Sequence, residues 1–178
     1  MSEPFFTIGH STRALAEFID LLQESGINLV VDVRRLPGSA RYPQYDQDPL
    51  AASLAEVGIG YWRADGLTGR RPVSRDVPFE VNAWWENRSF HNYADHALSD
   101  DFRQALGALR EQGRTRRAAL MCSEAVWWRC HRRIIADHLL AHSEQVWHIL
   151  GRGHVDSAQP SLGAVVGPDG EVRYPATG

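Results

Sequence analysis

The sequence predicts an α/β fold: a mostly parallel sheet of about five strands flanked by helices. Two observations carry this. Short, nearly continuous apolar runs alternate with stretches of helical period, and the first two runs are joined by a helix long enough for a parallel crossover. Apolar residues make up 43% of the 178, enough for one packed core.

Phe5 to Ile8 is a β-rich run ending at Gly9-His10-Ser11-Thr12, where Ser11 or Thr12 can cap a helix. Leu15, Phe18, Ile19 and Leu22 then follow the helical period until Gly26, and Asn28 to Val33 reads as a strand buried on both faces. A loop rich in turn formers and arginine leads to a short helix from about Asp48 to Glu56, and Ile59 to Trp62 is the third strand. Residues Gly66 to Phe90 show no sustained period; such a stretch inside a domain is a lid, a binding loop or disorder. Helical spacing resumes from Ala94 to Glu111 before a fourth strand, Ala118 to Met121. One helix is expected over Glu124 to Ala141, and a fifth strand over Gln145 to Leu150. The alternation is Rossmann-like. Gly167-Pro168-Asp169-Gly170, between two β-rich runs, signals a C-terminal hairpin. Residues 1–178 read as a single domain, with a core over 5–150 and an extension over 151–178.

The net charge of −3 offers no global attraction to nucleic acid or an anionic membrane. No signal-like or membrane-spanning run occurs, so a cytoplasmic protein is expected, with no membrane partner. All 19 basic residues are arginine. Schiff-base chemistry and a phosphate-loop lysine are thereby excluded, while bidentate anion recognition remains available. Two cysteines are too few for a disulfide framework, so Cys122 and Cys130 are expected as thiols.

In an open parallel sheet the ligand sits beyond the carboxyl ends of the strands. There the sequence delivers His10 and Ser11, then Asp32 and Arg34, then Arg63 and Asp65, then Cys122, Ser123 and Glu124. We expect His10, Asp32, Arg34 and Cys122 to gather around a common hollow. Cys122 ends a strand and precedes the expected helix start, a placement that favours thiolate and suits a nucleophile or redox thiol. A small buried side chain closing the strand is the plain alternative. Arg129, seven positions on, gives a spacing similar to the Cys and Arg pair of phosphate-handling loops, but the intervening residues contain no glycine to wrap an anion.

Glu124 and His131 are candidates for moving protons, and Asp32 for a general base, a ribose ligand or an ion-pair partner. Arg34, Arg35, Arg41, Arg70 and Arg71 are candidates for gripping phosphate or carboxylate; otherwise they are solvated. Trp62, Trp84, Trp85, Trp127 and Trp128 offer flat surfaces to a base unless the core claims them. Cys122, Cys130 and His131 are poorly spaced for zinc, and His138 with His142 reads as a surface pair, so no metal site is expected. The residues name no cofactor.

Thr7-Ile8-Gly9-His10-Ser11, Val31-Asp32-Val33-Arg34 with Pro37 and Ser39, Gly58-Ile59 with Tyr61, and Leu120-Met121-Cys122-Ser123-Glu124 followed by Cys130-His131-Arg132 resemble the domain of unknown function 488 family. The resemblance runs from about Thr7 to Leu150 and leaves out Arg71 to Ser89 and the tail after Arg152. It implies a compact α/β domain with its site at these motif positions, adding Ser39, Tyr61 and Arg132 to the candidates for substrate binding, and it supplies no reaction. Three functions follow from the residues. The first is an enzyme acting on a nucleotide-like or other anionic small molecule. The second is a nucleic-acid-binding or repair accessory protein, and in the third the motifs serve packing and capping alone. The sequence leaves the oligomeric state open.

Overall fold

A computed structural model describes residues 2–38 and 41–177. Five strands run parallel: β1 (Phe5–Gly9), β2 (Leu29–Asp32), β3 (Gly60–Arg63), β4 (Ala118–Cys122) and β5 (Val146–Gly151). A sixth, β6 (His154–Ser157), lies antiparallel on β5, and the order across the sheet is β3-β2-β4-β1-β5-β6. β7 (Val165–Val166) and β8 (Val172–Arg173) form the expected separate hairpin. The sequence missed β6 because this edge strand is largely exposed and has one apolar residue, Val155.

Five α-helices flank the sheet among the described residues: α1 (Leu15–Glu24), α2 (Gln47–Glu56), α3 (Arg88–His96), α4 (Asp100–Gln112) and α5 (Arg132–Ala141). Period-two alternation along the strands sorts the core into two layers. Phe6, Ile8, Val30, Ala119 and Met121 pack with Phe18, Leu21, Leu22, Leu50 and Leu54 of α1 and α2. Phe5, Val31, Ala118, Leu120 and Cys122 pack with Phe102, Leu106, Leu109, Ile134, Ile135 and Leu139 of α4 and α5. The chain after β1 and β2 therefore turns to one face, and the chain after β4 turns to the other. Because β4 lies between β2 and β1, a crevice opens at their carboxyl ends.

Three local expectations are corrected. α1 starts at Leu15 with Ala14 as its uncapped N-cap, while Ser11 sits at φ +49° and donates its backbone N–H to the Ser123 carbonyl. The helix expected over Ala94 to Glu111 is two, separated at Ala97 to Ser99, where the Ser99 hydroxyl accepts the Phe102 N–H and starts α4. The helix expected from Glu124 begins only at Arg132: a 3₁₀ turn at Trp127–Arg129 comes first, with extended residues on either side. Apolar spacing alone does not separate a helix from a 3₁₀ turn leading into one.

The aperiodic stretch 66–90 is pinned by the C-terminal tail. Tyr174 is wholly buried, donates its N–H to the Val81 carbonyl and the Asn82 side chain, and accepts the Trp84 N–H. Its hydroxyl donates to Asp137 of α5 at 2.7 Å, and Trp85 packs on its ring. Tyr174→Phe leaves one buried Asp137 oxygen without its donor, so a loss of about 1–3 kcal/mol is expected in urea denaturation. An unchanged midpoint would mean that the tail does not secure the loop.

Candidate functional site

Two polar groups meet at the carboxyl edge, and the pleat decides which residue belongs to which. Asp32 pairs in register with Met121, so its side chain faces the α1 and α2 side, whereas Cys122, one position on, faces α5.

On the first side, Asp32 is wholly buried and accepts four hydrogen bonds. Three come from Arg34, through its backbone N–H at 3.1 Å, Nε at 2.9 Å and Nη2 at 2.8 Å. The fourth comes from the Tyr61 hydroxyl. A carboxylate has about four acceptor positions, so this one is filled. Burial opposes the charge of Arg34, but Asp32 outweighs it and raises the arginine pKa further. Burial, reinforced by the bond to Asp32, likewise holds the Tyr61 phenol above its ordinary value. His10 stacks on Tyr45 at 4.3 Å, and its Nδ1 faces the Ser11 carbonyl at 2.9 Å. With the proton on Nδ1, Nε2 accepts from Arg34 Nη1 at 3.4 Å. Burial keeps His10 below 6.5 and therefore neutral at pH 7. Arg63 donates to the carbonyls of Arg34 and Arg35 and braces the loop that carries them.

On the second side, Gly9 makes the approach of the β4 loop possible: a Cβ there would sit 1.7 Å from the Glu124 carbonyl oxygen. That carbonyl accepts Arg132 Nη1 at 2.7 Å. Arg132 is wholly buried and also donates to the Cys122 sulfur, the Ala125 carbonyl and the Thr7 hydroxyl. Thr7 then reaches His148 Nδ1 at 2.6 Å, and His148 stacks on Trp127. The Cys122 thiol donates to the Glu124 carbonyl at 3.5 Å. The Cys130 sulfur accepts the Arg132 backbone N–H at 3.5 Å, so the thiol at the start of α5 is Cys130, eight positions after the one expected there. Burial, reinforced by the neighbouring Cys130, pushes Cys122 well up. Burial also opposes ionisation of Cys130, but the neighbouring Cys122 and the charge and N–H of Arg132 outweigh it and lower its pKa. His131 lies 3.5 Å from the Cys130 sulfur, and burial lowers its pKa to about 4. Gly69 admits its ring, since a Cβ there would be 2.7 Å from His131 Nδ1.

Both sides border one cavity of about 430 Å³. Of the candidates, Arg34, Arg70, Cys122, Glu124 and His131 line it, together with Cys130, Arg35 and Arg129. Asp32, His10 and Tyr61 stand behind Arg34, and Arg132 stands beneath the thiols. Ser11 and Arg41 do not line the cavity; Arg41 lies over the Tyr42 ring at 5.7 Å. Ser39 is outside the described residues. The wall contributed by 66–90 includes Gly69, Asn87, Ser89 and Phe90, which no sequence pattern singled out. Arg70 at its rim holds φ +54°.

The five tryptophan candidates divide. Trp85 is buried, Trp62, Trp84 and Trp127 are partly covered, and Trp128 is exposed. His138, read as half of a surface pair, is buried against Phe102 instead. Among the described residues, no three His, Cys, Asp or Glu side chains are placed to hold a metal, and no helix is long and apolar enough to cross a membrane.

No curated protein and no solved structure matches the chain. A family model does match, over residues 14–139. This span covers the motifs after β2 and β4 and the stretch 71–89, and it excludes the Thr7 to Ser11 motif and β5. With most of its length inside that match, the chain belongs to the family described as domain of unknown function DUF488.

Proposed function

We propose that the chain is an enzyme acting on a nucleotide-like or other small anionic molecule bound in the cavity at the carboxyl edge of the sheet. One observation carries the reading: thiols and arginines from distant segments border the same hollow. Arg35, Arg70 and Arg129 line it, and among the described residues none of the three has a carboxylate partner. Their guanidinium groups are available to an anion. Arg34 lines the hollow as well, its charge balanced by Asp32.

Cys130 is the better nucleophile, since its sulfur has the more stabilised thiolate. His131, neutral at pH 7, can take a proton, and the exposed Glu124 can move one at the rim. A concave site of this volume suits a small molecule better than a nucleic-acid strand.

Isothermal titration with a nucleoside monophosphate tests the reading. Binding is expected, weakened about tenfold by Arg70→Ala or Arg129→Ala, as the loss of one charge-assisted bond implies. Affinity indifferent to both substitutions would overturn the assignment. Binding only to oligonucleotides, falling steeply with salt, would move the protein to the nucleic-acid class.

A further inference from the structure

The two thiols support a more specific chemistry, which rests on the cavity being the site. The Arg132 guanidinium is wholly buried, yet among the described residues it has no carboxylate partner; its donors go to a sulfur, two carbonyls and a hydroxyl. A buried cation without a counter-charge is costly, and ionising one of the adjacent thiols supplies that charge. Cys130 is placed to be the anion. It lies at the start of α5 with the Arg132 backbone N–H directed at its sulfur, and has His131 Nδ1 at 3.5 Å. Cys122 keeps its proton, which it donates to the Glu124 carbonyl, and its sulfur, like that of Cys130, contacts Arg132. Both residues border the cavity.

We infer that Cys130 and Cys122 form a two-thiol redox centre that reduces small anionic disulfides. The Cys130 thiolate attacks one sulfur of the substrate; that S–S bond breaks, one half leaves as thiolate, and a mixed disulfide forms on Cys130. Cys122 then loses its proton to the departing thiolate. Its sulfur attacks Cys130, the mixed disulfide breaks, and the second half leaves. The protein ends with a Cys122–Cys130 disulfide, having passed two electrons to the substrate, and an external dithiol resets it. The carboxylate-free arginines around the thiols select the substrate class, because they suit a disulfide that carries carboxylates.

The test mixes the reduced full-length protein with glutathione disulfide without oxygen, alkylates it with N-ethylmaleimide and maps it by mass spectrometry. Cleavage after Arg129 separates the two cysteines, so a crosslink between them is visible. The wild type is expected to lose two hydrogens, gain the crosslink and release two equivalents of glutathione. Cys122→Ser should stop at one glutathione on Cys130, and Cys130→Ser should remain unmodified. Two alkylated thiols in the wild type, or a Cys130→Ser protein that reacts at the wild-type rate, would overturn the inference. Nucleoside monophosphate binding is measured on the same sample. Intact binding without a crosslink overturns the redox chemistry and leaves the anion site standing. A crosslink in a protein that binds no anion removes the site reading, and with it the proposed substrate class.

Discussion

Arg132→Met is expected to lower stability by roughly 3–5 kcal/mol and to raise the midpoint of Cys130 ionisation by about 1 to 3 pH units. Methionine approximates the apolar stem of arginine but supplies none of its donors. The carbonyls of Glu124 and Ala125, both facing the guanidinium, then lose a charged partner, and Thr7 loses the donor behind its bond to His148. Meanwhile nothing balances a thiolate at Cys130, so burial dominates and its proton stays on. Denaturant unfolding reads the first effect. The pH dependence of iodoacetamide alkylation in the folded protein reads the second. An unchanged alkylation midpoint would show that Arg132 supports the loop without acting on sulfur. Arg132→Lys is expected to recover little, since one ammonium cannot span four acceptors.

Stability is also expected to fall steeply between pH 6.5 and pH 4. Burial lowers the pKa of His138 to about 3, of His148 to about 3 and of His131 to about 4. Below 6.5 the unfolded chain takes up protons at these positions while the folded chain does not. The folded state is therefore penalised increasingly as pH drops, until its own histidines titrate. At pH 5 the cost is about 2 kcal/mol for each fully shifted histidine. Asp95 and Asp137, which burial raises above 3.8, act in the opposite sense: just above that value the folded state holds more protons than the unfolded one. Thermal unfolding across this range checks the prediction. His138→Gln should flatten the profile, because an amide has no charged form to exclude. A wild-type profile level down to pH 4 would mean that these imidazoles are hydrated in solution.

The fold was legible wherever local patterning is strong. Val30 and Val31 or Leu120 and Met121 can only be buried on both faces, and the helical stretches between such runs imply parallel pairing. Less was legible where an end or an edge decides. β6 carries a single Val155 among polar neighbours, and Trp127 and Trp128 satisfy a helical period while forming a 3₁₀ turn. That turn moves the helix start from Glu124 to Arg132, so that Cys130 rather than Cys122 precedes it. The candidate site was half legible. Polar residues after each strand pointed to the carboxyl edge, but the wall contributed by Gly69, Asn87, Ser89 and Phe90 has no periodic signal.

By itself, the sequence determined the layered α/β architecture, the edge of the sheet where chemistry-bearing residues collect, and arginine as its sole side chain for a permanent charge on an anion. These are properties of composition and short-range period. Only the tertiary structure decided that Asp32 is consumed in holding Arg34, and that Arg132 lies beneath two thiols with no carboxylate among the described residues to balance it. Only there does a C-terminal tyrosine fasten the wall of the cavity. Each depends on which face of the sheet a residue occupies and on contacts between segments far apart in the chain, and such distances are set by packing rather than by spacing along the sequence.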